Sequence, residues 1–323
     1  MRLARVLAVL TALVMSLVAT IPTTAAAALS SAKVVIIVGA DTPQYLDDAD
    51  QLYAEAIQHS SNVVRVYSPN ATWSAVKSAT TGASVVIYMG HGNGWPSPYT
   101  FDANYTTKDG FGLNATAAGT HGNLKYYGEP SIKTLSLAPN AIVFLFHLCY
   151  ASGNSEPGKA APTLTVAKQR AANYASAFIA AGAAAVIADG HSSSPWYLRE
   201  LFTKTESLSD LWHRAPNSHG HDIYYTPIHT TTNSVIPGTA ILDPDSGPSS
   251  PSGFYRAFTG QADRSTSSVI GKAPSGIVVL PSRTGTTSLF QPAAPGVRMI
   301  AATGRTLSVS STSATFNGRV LAR

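Results

Sequence analysis

The chain has 323 residues, a formal net charge of +5, and only 12% Asp, Glu, Lys and Arg. Its basic residues are scattered, which excludes the clustered footprint of a nucleic-acid binder. A single cysteine excludes an internal disulfide framework, so the fold must rest on its own core.

Residues 1–28 read as a cleaved export signal. Arg2 and Arg5 supply the positive start, LAVLTALVMSLVATI the apolar run, and TTAAAA the small residues for cleavage, at Ala25-x-Ala27 or Ala26-x-Ala28. An uncleaved anchor is the alternative, but the run is short for a membrane span and ends in small residues. The expectation is a secreted, extracellular protein with no stable membrane insertion once the signal is removed. A surface rich in Ser, Thr, Ala, Gly and Asn agrees with export.

KVVIIVG (33–39) is a continuous apolar run of strand length, and YLDDADQLYAEAIQ (45–58) has apolar residues at helical spacing. NVVRVYS (62–68) reads as a strand and WSAVKSATT (73–81) as a helix that Asn70 or Thr72 caps. SVVIYMG (84–90) and AIVFLFHL (141–148) are further strands. TVAKQRAANYASAFIAAG (165–182) is a helix with Gly182 at its C-cap, AAVIADG (184–190) a strand, and YLRELFTKTESLSDLWHRA (197–215) a helix. Continuous apolar strands alternating with amphipathic helices predict an α/β fold, with a mostly parallel sheet flanked by helices on both faces. Trp95 to Pro139 interrupts the rhythm and reads as loops with a β-hairpin. Beyond Pro216 the chain is loop-rich, with short strands expected in GIVVLPS (276–282), GVRMIAA (296–302) and TLSVSS (306–311). The expected organisation is a signal at 1–28, an α/β domain at 29–269, and a small β-rich appendage or added sheet edge at 270–323.

Open parallel sheets bind ligands at the carboxyl ends of their strands. Two reactive residues are expected there: SVVIYMG runs into His91, and AIVFLFHL runs into Cys149. Successive strands are commonly neighbours, so both side chains emerge at one edge. A free thiol is mostly protonated at neutral pH, and an imidazole nearby can take its proton and later protonate a leaving amine. The N–H groups of Gly92 and Cys149 are candidate oxyanion donors. The bland alternative for Cys149 is an inert core thiol. The glycines around His91 do not make a phosphate loop, because Trp95, Pro96 and Pro98 follow instead of a helix with Lys-Ser/Thr.

A strand ending in His-Gly, then a strand ending in a cysteine followed by small residues, resembles the caspase, gingipain and clostripain group of cysteine peptidases (clan CD). Cys149-Tyr150-Ala151-Ser152-Gly153 is similar to that group's Cys-x-Ser-Gly block with one residue inserted. YASAFIAAGAAAVIADG resembles the helix-strand unit after the nucleophile in the gingipain-like and separase-related branches. The resemblance covers roughly residues 33–215 and implies a caspase-like three-layer sandwich. It implies a Cys149/His91 dyad, a protein or peptide substrate, and no cofactor. The residue two before the cysteine is often acidic or small in these families, and here it is His147. By position, Asp41 could meet a basic substrate side chain, although it or Thr42 before Pro43 equally suits the start of the first helix. Asp189, His191 and Trp196 follow the fifth strand and are further candidates to line the cleft. His213, His219, His221, Asp222 and His229 match no standard zinc spacing and read as solvated, so no metal site is expected. The alternative function is a catalytically inactive caspase-like domain acting in surface binding or assembly.

Overall fold

The computed structural model describes residues 29–271 together with the strand segments 299–301, 309–310, 313–314 and 320–322. The expected signal at 1–28 and the expected strand at 276–282 lie outside the described residues. Strand β1 (Val34–Val38) passes through a 3-10 turn (Pro43–Tyr45) into α1 (Leu46–His59). There follow β2 (Val63–Tyr67), α2 (Trp73–Thr80), β3 (Val85–Met89), the hairpin β4 (Phe111–Asn114) and β5 (Leu124–Tyr127), and α3 (Glu129–Ile132). Next come β6 (Ala141–Phe146), α4 (Leu164–Ala180), β7 (Ala183–Asp189), α5 (Trp196–Thr203) and α6 (Leu208–His213). Strands β8 (Ile223–Tyr225), β9 (Thr239–Leu242), β10 (Arg256–Gly260) and the short α7 (Thr266–Val269) complete the body.

Eight strands form one sheet in the order β2-β1-β3-β6-β7-β10-β9-β8. The first five are parallel, and β10, β9 and β8 continue antiparallel. Strands β1, β3, β6 and β7 are buried at every residue, which is why they read as unbroken apolar runs. Alternate residues still face opposite layers. Val34, Ile36 and Val38 join the cluster under α1, α5 and α6, whereas Val35 and Ile37 join the one under α2, α4 and the hairpin. The result is a three-layer α/β sandwich. Each fully buried large side chain, such as Phe144 or Phe178, stabilises it by about 1.5–3 kcal/mol.

Local chemistry sets the helix ends. The Thr72, Thr163 and Ser207 side chains accept the N–H groups of Ala75, Val166 and Asp210, capping α2, α4 and α6. Gly182 takes φ +108 just after α4, a conformation that favours glycine.

Three expectations are revised. The strand read as 141–148 stops at Phe146, because His147 adopts φ +56 and turns the chain. The helix read as 197–215 is two helices. At the break, Glu206 N–H donates to the Thr266 hydroxyl, which donates to Lys204 O, so residues near α7 supply partners that a continuous helix would not need. The loop-like stretch after Pro216 contributes three strands to the main sheet. In the 270–323 segment, Met299–Ala301 pairs with Val320–Ala322, and Val309–Ser310 with Ser313–Ala314. The first and third of these lie inside the runs expected at 296–302 and 306–311. Among the described residues no helix is long and apolar enough to cross a membrane.

Candidate functional site

Strands β3 and β6 are hydrogen-bonded neighbours, with Met89 opposite Phe146. His91 lies two residues past the first strand and Cys149 three past the second, so both reach the carboxyl edge of the sheet. They line one cleft of about 500 Å³. Its other walls come from Tyr45 after β1, His191 after β7 and Tyr255 just before β10. Because β10 runs antiparallel, its start lies at the same edge as the ends of the parallel strands. Gly92 seals the contact between the two loops. A Cβ there would sit 2.4 Å from the Cys149 carbonyl oxygen and 2.6 Å from the Tyr174 hydroxyl. Only glycine allows this approach.

The turn carrying the thiol is held in costly backbone geometry. His147 and Tyr150, on either side of Cys149, take φ +56 and +72, a region costing non-glycine residues on the order of 1–3 kcal/mol each. Several bonds over-determine it. His147 N–H donates to Asp189 O (2.9 Å), and Tyr150 N–H to the Asn154 side chain (2.7 Å). Ser152 Oγ donates to Phe254 O (2.9 Å), and Arg170 from α4 donates to Asn154 O (2.8 Å). Among the described residues, neither the Gly92 N–H nor the Cys149 N–H donates to a neighbouring residue.

His91 is positioned through its backbone. The buried Tyr88 hydroxyl lies 3.0 Å from the His91 carbonyl and 2.9 Å from the Gly112 carbonyl, and it accepts the Gly112 N–H. The Gly112 N–H also reaches His91 O at 3.2 Å. Two residues on, Asn93 N–H donates to the Tyr174 hydroxyl, and the Asn93 side chain accepts from the buried Lys108 amine. Tyr88→Phe is expected to cost about 1–3 kcal/mol in urea unfolding, since it strands buried polar groups. The same change should loosen the loop that presents His91.

Cys149 is a free, partly buried thiol. Burial pushes its pKa up to about 11, the Glu156 carboxylate adds to the rise, and its own N–H opposes it weakly. Glu156 lines the cleft with Oε1 accepting from the Tyr99 hydroxyl at 2.5 Å. His147 also lines the cleft. Its ring stacks on Tyr45 at 4.8 Å, and Nε2 lies 3.6 Å from Asp48 Oδ2. Burial lowers the His147 pKa against the opposing pull of Asp48 and Asp189.

The remaining sequence candidates are spread. His191 lines the cleft, stacked on Tyr255 with ring centroids 3.6 Å apart. Asp189 is buried beneath it. Its carboxylate accepts the N–H groups of His191 and Ser192 and the Asn217 side chain, and burial raises its pKa. Asp41 is exposed at φ +58 with its N–H on His121 O, and Trp196 packs on the core beneath Arg214. None of these three residues lines the cleft. Of the residues expected to be solvated, His213 pairs with Asp222 (3.0 Å), and His229 is instead buried, paired with Glu129 from α3 (3.0 Å). Among the described residues no group of three or more His, Cys, Asp or Glu could hold a metal ion.

Sequence reasoning missed Tyr45, Tyr88, Glu156 and Tyr255. One signal was available for Glu156, which is the only acidic residue between Glu129 and Asp189. The tyrosines reach the site through tertiary contacts that no local pattern records. The chain matches no family model, no curated protein and no solved structure.

Proposed function

We propose that the chain is a secreted cysteine endopeptidase with a caspase-like fold, hydrolysing peptide bonds through a Cys149/His91 dyad. The observation carrying this reading is the delivery of both side chains into one cleft by neighbouring strands, sealed by Gly92 against the Cys149 carbonyl. Cys149 Sγ attacks the scissile carbonyl while His91 accepts the thiol proton. The Gly92 and Cys149 N–H groups stabilise the oxyanion. As the thioester forms, the C–N bond breaks and His91 returns the proton to the departing amine. Water activated by the same imidazole then releases the acid and restores the thiol. No cofactor takes part in this scheme.

One observation favours a second reading, a catalytically silent caspase-like domain acting in surface binding or assembly. The resting thiol is pushed up to about 11, so at neutral pH it is protonated unless a base takes its proton. The two readings differ in iodoacetamide labelling at about pH 7. The dyad predicts rapid modification of Cys149 that slows sharply in His91→Ala. A silent thiol labels slowly, indifferent to His91, and its rate climbs about tenfold per pH unit as pH approaches the thiol pKa.

A further inference from the structure

The walls of the cleft carry several ring side chains, Tyr45, His147, His191, Phe254 and Tyr255 beside His91, and few charges. Two stacked pairs stand among its lining residues. Tyr45 lies on His147 with planes 8° apart, and Tyr255 lies on His191 with planes 24° apart. The first pair joins the segment after β1 to the turn after β6. The second joins the turn after β7 to the segment entering β10. Gly190, between His147 and His191 in the cleft wall, keeps the space open. A Cβ there would lie 3.1 Å from both the Tyr255 ring and the Asn154 side chain. Among the described residues, the fully charged side chains lining the cleft are Glu156 and Lys159, both on one turn. Glu156 is already engaged by the Tyr99 hydroxyl, and the Lys159 amine lies 5.9 Å from the Tyr99 ring.

A ring stacked on one side is already oriented, so it loses little freedom when a ligand packs against its exposed surface. Flat, apolar surface of this kind complements a planar side chain through burial and offset or edge contacts. Backbone bonds fix the frame. Gly190 N–H donates to Tyr255 O at 2.8 Å, and Tyr45 N–H donates to Thr42 O at 3.2 Å.

We infer that the two stacked pairs form a recognition pocket for an aromatic side chain, Phe, Tyr or Trp, next to the scissile bond. This rests on the peptidase reading for its reaction but not for its binding. Tyr45 and Tyr255 determine specificity, and His147 and His191 hold them in place. The arrangement also accounts for His147 where the resembled families often carry an acidic or small residue.

The test has two arms, both on the purified protein. In the first, a peptide library is digested and the cut sites are read by mass spectrometry. Cuts should cluster beside Phe, Tyr and Trp. A matched peptide with Ala in place of Phe should lose roughly 10- to 100-fold in kcat/KM. Tyr45→Ala and Tyr255→Ala should each reduce that preference about three- to tenfold, with Tyr255→Phe restoring it. In each variant the Phe peptide should lose more kcat/KM than the Ala peptide does. Cleavage directed by Lys or Arg and lost in Glu156→Gln, or an aromatic preference unchanged in the tyrosine variants, would overturn the proposal while leaving the peptidase reading intact. In the second arm, N-acetyl-phenylalanine amide should protect Cys149 from iodoacetamide, and N-acetyl-alanine amide should not. Protection should weaken in Tyr45→Ala and Tyr255→Ala. Equal labelling with both amides overturns the pocket, even if no peptide is ever cut.

Discussion

Replacing Cys149 by alanine is expected to abolish peptide hydrolysis, and His91→Ala to lower kcat/KM by roughly 10²–10⁴-fold. The expectation follows from placement and protonation together. The thiol lies in a partly buried turn where burial and Glu156 hold the proton on sulfur, so attack requires a base in the same cleft. His91 follows the neighbouring strand β3, and its loop packs on the Cys149 carbonyl through Gly92. If the two residues act as the proposed dyad, the double variant should be no worse than Cys149→Ala alone. An equal rate in wild type and Cys149→Ala would assign any hydrolysis to another group. Steady-state kinetics on a peptide drawn from a library digest make the comparison.

The largest effect on stability is expected at Arg256, the first residue of β10. Its guanidinium is 1% exposed, pairs with the buried Asp243 carboxylate and donates to Trp212 O at 2.7 Å. It also covers the Trp212 ring at 4.6 Å. Arg256→Ala removes the cation and leaves Asp243 buried without its charge partner, at a cost of about 3–5 kcal/mol in urea unfolding. The pH dependence has a defined sign. Burial alone would raise the Asp243 pKa, but the N–H groups of His219 and His221 and the Arg256 charge outweigh it and hold it below its ordinary value. A carboxyl with a depressed folded pKa contributes stability that is fully present above its unfolded value, near 3.9, and is lost as pH falls through the folded value. Without Arg256 the depression shrinks, so this acid-linked loss should be smaller and should be complete at a higher pH. A variant as stable as wild type at neutral pH would show that β10 and β9 are held by their ladder alone.

The sequence made the central sheet legible because its strands are buried on both faces. Val34–Val38, Val85–Met89, Ala141–Phe146 and Ala183–Asp189 needed no context, and neither did α1, with its apolar stripe, or α2 and α4, with their stripes and threonine caps. What escaped is explained by particular residues. Strand β10 opens with Arg256, a charge whose burial makes sense only beside Asp243, so RAFTG did not read as a core strand. Strands β8 and β9 are three and four residues long, too short for a period to show. The break between α5 and α6 depends on Thr266, about 60 residues later in the chain. At the site, His91 and Cys149 were legible because each ends an apolar run. Tyr45 and Tyr255 enter from β1 and β10, at opposite sides of the cleft, and become cleft residues only when the sheet is assembled. Asp41 shows the converse. Its position after β1 suggested the cleft, but the chain turns at φ +58, and Gln44 and Tyr45 are the residues that line it.

The proposed reaction passes through a covalent acyl-enzyme on Cys149, with His91 as its proton partner. Acid quenching of the protein during turnover of a peptide ester, followed by intact-mass and fragment analysis, tests this directly. The expected result is a mass increase equal to the acyl group, mapped to Cys149, absent in Cys149→Ala and strongly reduced in His91→Ala. Hydrolysis with no adduct on Cys149, or with the acyl group on another residue, would contradict it.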